Sequence, residues 1–257
     1  MILYYAIGGG LGHVTRARRV LTALGLEGTI ATSSDDAARV AGPFPVLRIP
    51  RSLEGDRNAH RAWLASQPCS RLIVDTFPCG LQGELADVTV PVDYVARLLR
   101  WEEYRRAVPY DLPRFDTMYV VEPITHTVES QHVVHLDLTA DAPEPASRED
   151  AYWLIVHSGP ANEVEELIAY TRDLQTVERD RTPVLVATAT EPALPPNFHR
   201  VEAFPATPLF AEATRIISAA GFNVMLETER WRTKHHVLPF PRRFDDQFAR
   251  AARRGER

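Results

Sequence analysis

Ile2-Leu3-Tyr4-Tyr5-Ala6-Ile7-Gly8-Gly9-Gly10-Leu11-Gly12-His13 is the stretch that decides the fold. An apolar run stops at three glycines, which reads as a buried strand ending in a tight turn. Val14, Ala17, Val20, Leu21 and Leu24 then recur at helical spacing, and Gly25 stands where a C-cap is expected. Strand, glycine turn and amphipathic helix form the opening unit of an α/β fold.

The alternation continues outward. Thr29 to Thr32, Val46 to Ile49, Leu72 to Val74, Val90 to Val95 and Met118 to Val121 read as further strands with helical or turn segments between them. Asp137 to Asp150 is rich in Asp, Ala, Pro and Ser, lacks apolar period and reads as a linker. Strands are expected again at Tyr152 to Val156, Val184 to Ala187, Ile216 to Ser218 and His236 to Phe240. Val164, Leu167, Ile168, Thr171 and Leu174 make a helix face among them. The expectation is two Rossmann-like α/β domains, residues 1–140 and 151–241, with mostly parallel sheets, facing a cleft. Residues 242–257 are expected to form a terminal helix that packs back across the domains. Its apolar face would be Phe244, Phe248, Ala251 and Ala252.

Composition removes several classes. The chain has 257 residues, 45% hydrophobic and 25% charged, enough apolar material for a core. No apolar stretch approaches the ~20 residues of a membrane span, and the N-terminus shows no signal-peptide pattern. A net charge of -5 argues against nucleic acid as the main partner. Cys69 and Cys79 form neither a zinc pattern nor a disulfide framework, so a cytoplasmic setting is expected. Lys234 is the single lysine, which excludes a P-loop.

The Gly8 to His13 turn lets a ligand approach a helix N-terminus. The NAD fingerprint fails because His13 occupies its third glycine position. His13, at the positive end of a helix dipole, is expected to be neutral, either as a base toward a hydroxyl or as a capping or ligand-contacting residue. Asp75 ends a strand; it either orients an acceptor hydroxyl or caps the next turn. Ile216 to Glu227 gives a second strand-to-helix turn, with Ser218, Ala220, Gly221, Phe222 and Asn223 fit for a diphosphate. Glu227 stands six residues, ~9 Å of helix, beyond Gly221. It suits a ribose diol or is a solvated helix glutamate. The turn at His157 to Pro160 is a poorer phosphate site because Glu163, Glu165 and Glu166 follow it, leaving Ser158 and Gly159 as walls. His126, His132 and His135 read as surface or strand histidines. Asp35-Asp36 and Asp245-Asp246 read as helix-start acids, and Arg97, Arg100 and Trp101 as cleft-border or surface residues. No metal site and no cofactor are expected.

Three motifs in order resemble a GT-B glycosyltransferase of the MurG-like family 28. The loop holding Gly8, Gly9, Gly10, Gly12 and His13 is similar to that family's G-G-x-x-G-H loop. Ser218 to Glu227 resembles its donor segment, and Phe240 to Gln247 resembles a stretch ending in a donor-contacting glutamine. Asp75 to Gly80 (D-T-F-P-C-G) resembles the D-x-F-P-x-G stretch of uncharacterised predicted glycosyltransferases. The resemblance implies inverting, metal-independent sugar transfer from a nucleotide sugar, UDP-linked, to an acceptor hydroxyl of unknown identity. A lipid-linked acceptor or a glycan, with peripheral contact at the inner membrane face, fits that reading. It implies Glu227 as ribose ligand, Gln247 as a sugar contact, and His13 as base or as a contact to donor and acceptor. The donor belongs to the C-terminal domain and the acceptor to the N-terminal one. A nucleotide-sugar 2-epimerase of the same fold, and a non-catalytic nucleotide-sugar binder, stay open.

Overall fold

A computed structural model describes residues 1–8, 10–139 and 150–255. Gly9 and the expected linker residues 140–149 lie outside the described residues. The chain divides into two compact units, Met1–Leu138 with Arg243–Asp246, and Thr139–Arg242 with Gln247–Arg257.

The first unit contains strands β1 (Ile2–Tyr5), β2 (Thr29–Thr32), β3 (Val46–Arg48), β4 (Arg71–Asp75), β5 (Val92–Ala96), β6 (Phe115–Val120) and β7 (Ser130–His135). Its helices are α1 (Leu11–Ala23), α2 (Arg57–Ala65) and α3 (Trp101–Ala107). The sheet order is β3-β2-β1-β4-β5-β6-β7 and every pairing is parallel. A parallel central strand is covered on both faces, which is why Leu3, Tyr4 and Tyr5 of β1 and Leu72, Ile73 and Val74 of β4 are almost fully buried. Winding runs from β1 toward β3, then restarts at β4 in the opposite direction. The switch point therefore lies between the carboxyl ends of β1 and β4, beside Gly8 and Asp75.

The second unit repeats the plan with β8 (Trp153–Val156), α4 (Ala161–Glu178), β9 (Val184–Ala187), β10 (Phe198–Val201), β11 (Arg215–Ser218), α5 (Phe222–Glu227), β12 (His235–Val237) and α6 (Gln247–Gly255). Its sheet order is β10-β9-β8-β11-β12, again all parallel. Here the switch point lies between β8 and β11, next to Ser158 and Gly159 on one side and Ala219 to Gly221 on the other.

The α/β alternation matches the sequence reading, but two strands were not anticipated. β7 is exposed along its length, and His199 and Arg200 interrupt β10, so neither carries a continuous apolar run. The terminal helix also differs from expectation. It begins at Gln247, not Arg242, and Phe248 is 55% exposed. Gln247 and Arg250 form its buried face. Polar groups replace the expected apolar stripe because each finds a backbone partner: Gln247 Oε1 accepts from Phe240 N at 3.0 Å, and Arg250 Nη1 donates to the Ala220 carbonyl at 2.9 Å. Phe244 precedes the helix and packs in the first unit against Phe77 and Tyr104, with ring centroids 5.9 and 5.5 Å away. No described helix is long and apolar enough to cross a membrane.

Candidate functional site

At the switch point of the first unit, the turn after β1 meets the end of β4. Asp75, the last residue of β4, is fully buried and surrounded by donors. Arg16 Nε and the Tyr4 hydroxyl donate to Oδ1 at 2.7 and 3.0 Å. Arg16 Nη2 donates to Oδ2 at 2.5 Å, and the Thr76 hydroxyl donates to it at 3.1 Å. His13 Nδ1 lies 2.6 Å from the same oxygen. Burial alone would push the Asp75 carboxyl up. The Arg16 guanidinium and the His13 bond outweigh it and hold the group well below the usual carboxylate range. Asp75 is therefore ionised.

An ionised oxygen at 2.6 Å requires the proton on His13 Nδ1, since a lone pair there would be repelled. Arg16 Nη2 sits 3.1 Å from Nδ1 but donates instead to Asp75 and to Thr76 Oγ1 at 2.8 Å. Nε2 of His13 then carries the free lone pair. Burial lowers the histidine pKa, and the charges of Arg16 and Arg97 add to it. The Asp75 bond and charge oppose them without cancelling them. The ring is neutral near pH 7, with burial the largest cause. Asp75 itself neither faces an acceptor hydroxyl nor caps a turn through its side chain. Its bond to His13 fixes the tautomer and orientation of that ring.

Backbone geometry reserves the space for that ring. Gly8 has φ +138, and a Cβ there would stand 2.8 Å from His13 Nε2 and Cδ2. Any side chain would both strain the backbone and strike the imidazole. Thr76, directly after Asp75, holds φ +68, an uncommon value for a β-branched residue. Arg16, Arg97 Nε at 2.9 Å, and the Tyr94 hydroxyl, which donates to the Thr76 carbonyl at 2.9 Å, pin it. Arg97 is buried and its Nη1 reaches Asp245 at 2.7 Å. Asp245 is thus an ion-pair partner within the first unit and not a helix-start acid; Asp35 likewise pairs with Arg48 and Arg51.

Gly8 also lines a cavity of about 430 Å³ at the carboxyl ends of β1 to β3, together with Ser33, Leu53, His60, Gln82 and Arg243. His60 is buried, and its Nε2 lies 2.8 Å from the Tyr5 hydroxyl. That hydroxyl donates to Glu84 Oε1 at 2.7 Å, so His60 Nε2 must carry a proton and Nδ1 must accept. That Nδ1 accepts from the Gln82 side-chain NH₂, 3.5 Å away, so both ring nitrogens of His60 are held by the cavity wall itself.

In the second unit, the expected diphosphate segment is only partly open. Ser218 is fully buried, and its hydroxyl is shared between the Ala219 carbonyl and His235 Nε2, both at 2.8 Å. Its side chain is an internal link and not a ligand-facing donor. Ala220 is buried and its carbonyl accepts from Arg250, while Phe222 is also buried. Gly221 caps α5, Asn223 lies in the first turn and Glu227 ends the helix, all three partly exposed. Across the β8/β11 switch point, Ser158 is exposed. A Cβ at Gly159 would meet His157 Nε2 at 2.3 Å. Glu163 does not stand free at the start of α4: His157 Nε2 lies 2.8 Å from it, and Arg242 grips both its oxygens. The repulsion expected from that carboxylate is therefore largely neutralised. Gln247 spends its carboxamide oxygen on Phe240 N, leaving only its NH₂ for a ligand. In the first unit, Gly10 and Gly12 are exposed at the start of α1.

Several site residues escaped the sequence reading. Arg16 was not singled out, although its i+3 spacing from His13 puts both on one helix face. Arg250 could have been found only as a basic residue on the wrong side of an amphipathic pattern. Tyr4, Thr76 and the Tyr5–His60–Glu84 network carry no local signal.

No protein-family model matches this chain, and no curated protein matches it in sequence. Solved structures do match it in fold. The spinosyn rhamnosyltransferase SpnG, complexed with thymidine diphosphate, is 17% identical with a TM-score of 0.66, over 99% of this chain and 84% of its own. The spinosyn forosaminyltransferase SpnP is 13% identical with a TM-score of 0.67, over 99% and 83%. The glycosyltransferase SnogD from Streptomyces nogalater is 14% identical with a TM-score of 0.56, over 93% and 81%. The fold of this chain is thus the two-unit α/β fold of GT-B glycosyltransferases.

Proposed function

We propose that this protein is a glycosyltransferase that moves a sugar from a nucleoside-diphosphate sugar to an acceptor hydroxyl, with inversion and without a metal. The observation that carries the reading is the neutral, partly exposed His13, held by ionised Asp75 and seated against Gly8, a residue that itself lines the cavity. An acceptor hydroxyl brought to that ring would give its proton to Nε2 as its oxygen attacks the anomeric carbon. The bond from that carbon to the diphosphate breaks, and the diphosphate leaves with the electron pair. Asp75 stays ionised and stabilises the imidazolium that forms.

The donor is assigned to the second unit, at the switch point between Ser158, Gly159 and the segment Ala220 to Asn223. Main-chain N–H groups at Gly221, Phe222 and Asn223 and the positive charge of Arg250 behind that turn favour an anion there. Glu227 takes the ribose, and Gln247 contributes through its NH₂. A UDP-linked donor is the first choice. SpnG, of the same fold, was solved with thymidine diphosphate, so thymidine nucleotides belong in the same test.

The test is a thermal-shift panel of nucleoside diphosphates and their sugars, followed by turnover on a panel of hydroxyl acceptors. A ligand at 100 times its dissociation constant adds ~2.7 kcal/mol of stability. With a competent pair, His13→Ala should lower kcat by about 10²- to 10⁴-fold while donor affinity holds. Activity should persist in EDTA. Binding of the nucleoside diphosphate with no transfer to any acceptor would reduce the protein to a nucleotide-sugar binder.

A further inference from the structure

Asp245 belongs to a segment that follows the whole second sheet in sequence and yet is part of the first unit. Main-chain bonds hold that segment on the connection from β5 to α3. Arg100 N donates to the Phe244 carbonyl at 2.8 Å, and Asp245 makes an antiparallel bridge with Leu99. Phe244 anchors it in the core against Phe77, and the Phe77 ring centroid lies 5.6 Å from that of His13.

From Asp245 a run of hydrogen bonds reaches the site. Its Oδ1 accepts from Arg97 Nη1 at 2.7 Å, and Arg97 Nε donates to Thr76 Oγ1 at 2.9 Å. The Thr76 hydroxyl donates at 3.1 Å to Asp75 Oδ2, the oxygen that binds His13. Arg97 is buried and Asp245 largely so, and solvent therefore screens their charges poorly. The charged groups facing His13 are Asp75 from β4, Arg16 from α1 and Arg97 from the connection after β5. Asp75 favours the imidazolium and both arginines oppose it. Glu122, after β6, bears on Arg16, and Asp245 offsets the charge of Arg97.

We propose that Asp245 is a positioning residue for His13, holding Arg97 on Thr76 and balancing its charge, so that the C-terminal segment completes the surroundings of the imidazole. By offsetting Arg97, the Asp245 carboxylate raises the affinity of the ring for a proton. That His13 is the base rests on the proposed function, whereas the coupling is a property of the resting protein and exists without turnover. A charge within 4–6 Å moves a titration midpoint by about 1–3 pH units, so one acting from behind Arg97 should move it by less, roughly half a pH unit.

NMR titration of the His13 imidazole in the full chain tests this, with His13→Gln identifying its resonance. Asp245→Asn leaves the Arg97 charge without this counter-ion, and the His13 midpoint should fall by roughly half a pH unit. Asp245→Glu keeps the charge and should keep the midpoint. Arg97→Gln should raise the midpoint, and adding Asp245→Asn to it should bring the midpoint back down toward the wild-type value. Near-UV circular dichroism checks each fold. If Asp245→Asn does not fold, the step from Arg97→Gln to the double variant measures the same carboxylate. A midpoint that Asp245→Asn, or that step, leaves unchanged overturns the proposal, as does an equal fall in Asp245→Glu. With a competent acceptor, the acid limb of kcat should move down together with the midpoint. Transfer without any change in the His13 midpoint would sink the coupling and leave the transferase reading standing; a shifted midpoint with no transfer to any acceptor would do the reverse.

Discussion

Asp75→Asn removes one charge and no volume from the centre of the site, and its cost can be worked from the contacts. Oδ1 accepts from Tyr4 and Arg16; Oδ2 accepts from Arg16, Thr76 and His13. Whichever way the new carboxamide turns, its NH₂ meets a guanidinium N–H. Arg16, 2% exposed, loses its buried counter-ion. Removing one partner of a buried pair costs about 3–5 kcal/mol. For a domain of this size that is a fall in Tm of roughly 10 °C or more. Differential scanning calorimetry measures it, with Arg16→Met/Asp75→Asn closing a double-mutant cycle. The double variant should recover much of the loss, because no uncompensated cation is left behind. The wild-type contribution should also depend on pH in one direction. The native carboxyl is held below its unfolded pKa of about 3.9, so the contribution is complete above that value and fades as pH falls through it and below. A cost below about 1 kcal/mol at pH 7 would refute the desolvated pair.

Other outcomes follow from the same contacts. Gly8→Ala should abolish most turnover while sparing nucleoside-diphosphate binding, since its Cβ would displace the His13 ring; equal loss of both would point to a folding defect. With His13 lowered below its usual pKa of about 6.5, the fall of kcat toward acid pH should be centred below that value, as the base takes up a proton. A pH profile with its acid limb centred above pH 7 contradicts this. Glu227→Ala should weaken nucleoside-diphosphate binding by the ~1.5–3 kcal/mol of a charge-assisted hydrogen bond. Unchanged affinity in isothermal titration removes the ribose role. Phe244→Ala, at a buried ring packed on Phe77 and Tyr104, should cost about 3 kcal/mol in urea unfolding.

What the sequence by itself determined is what repeats at short range. The apolar run Leu3 to Ile7, the glycines after it and the period of α1 are set by neighbouring residues. They suffice for the α/β alternation and for placing His13 at a strand-to-helix turn. Asp75 was legible as a strand end, and Gly221 as the start of a helix. The tertiary structure decided which of these groups meet. His13 and Asp75 are 62 positions apart, and only the order β1-β4 brings them to 2.6 Å, where Arg16 can ionise one and burial can keep the other neutral. Tertiary structure likewise buried the Ser218 hydroxyl that local reading left open, because β12 sets His235 beside β11. It also turned Gln247 and Arg250 inward, against an amphipathic pattern that favoured Phe248. A side chain's hydrogen-bond partner is fixed by strand order, and strand order is a long-range property that no window of neighbouring residues contains.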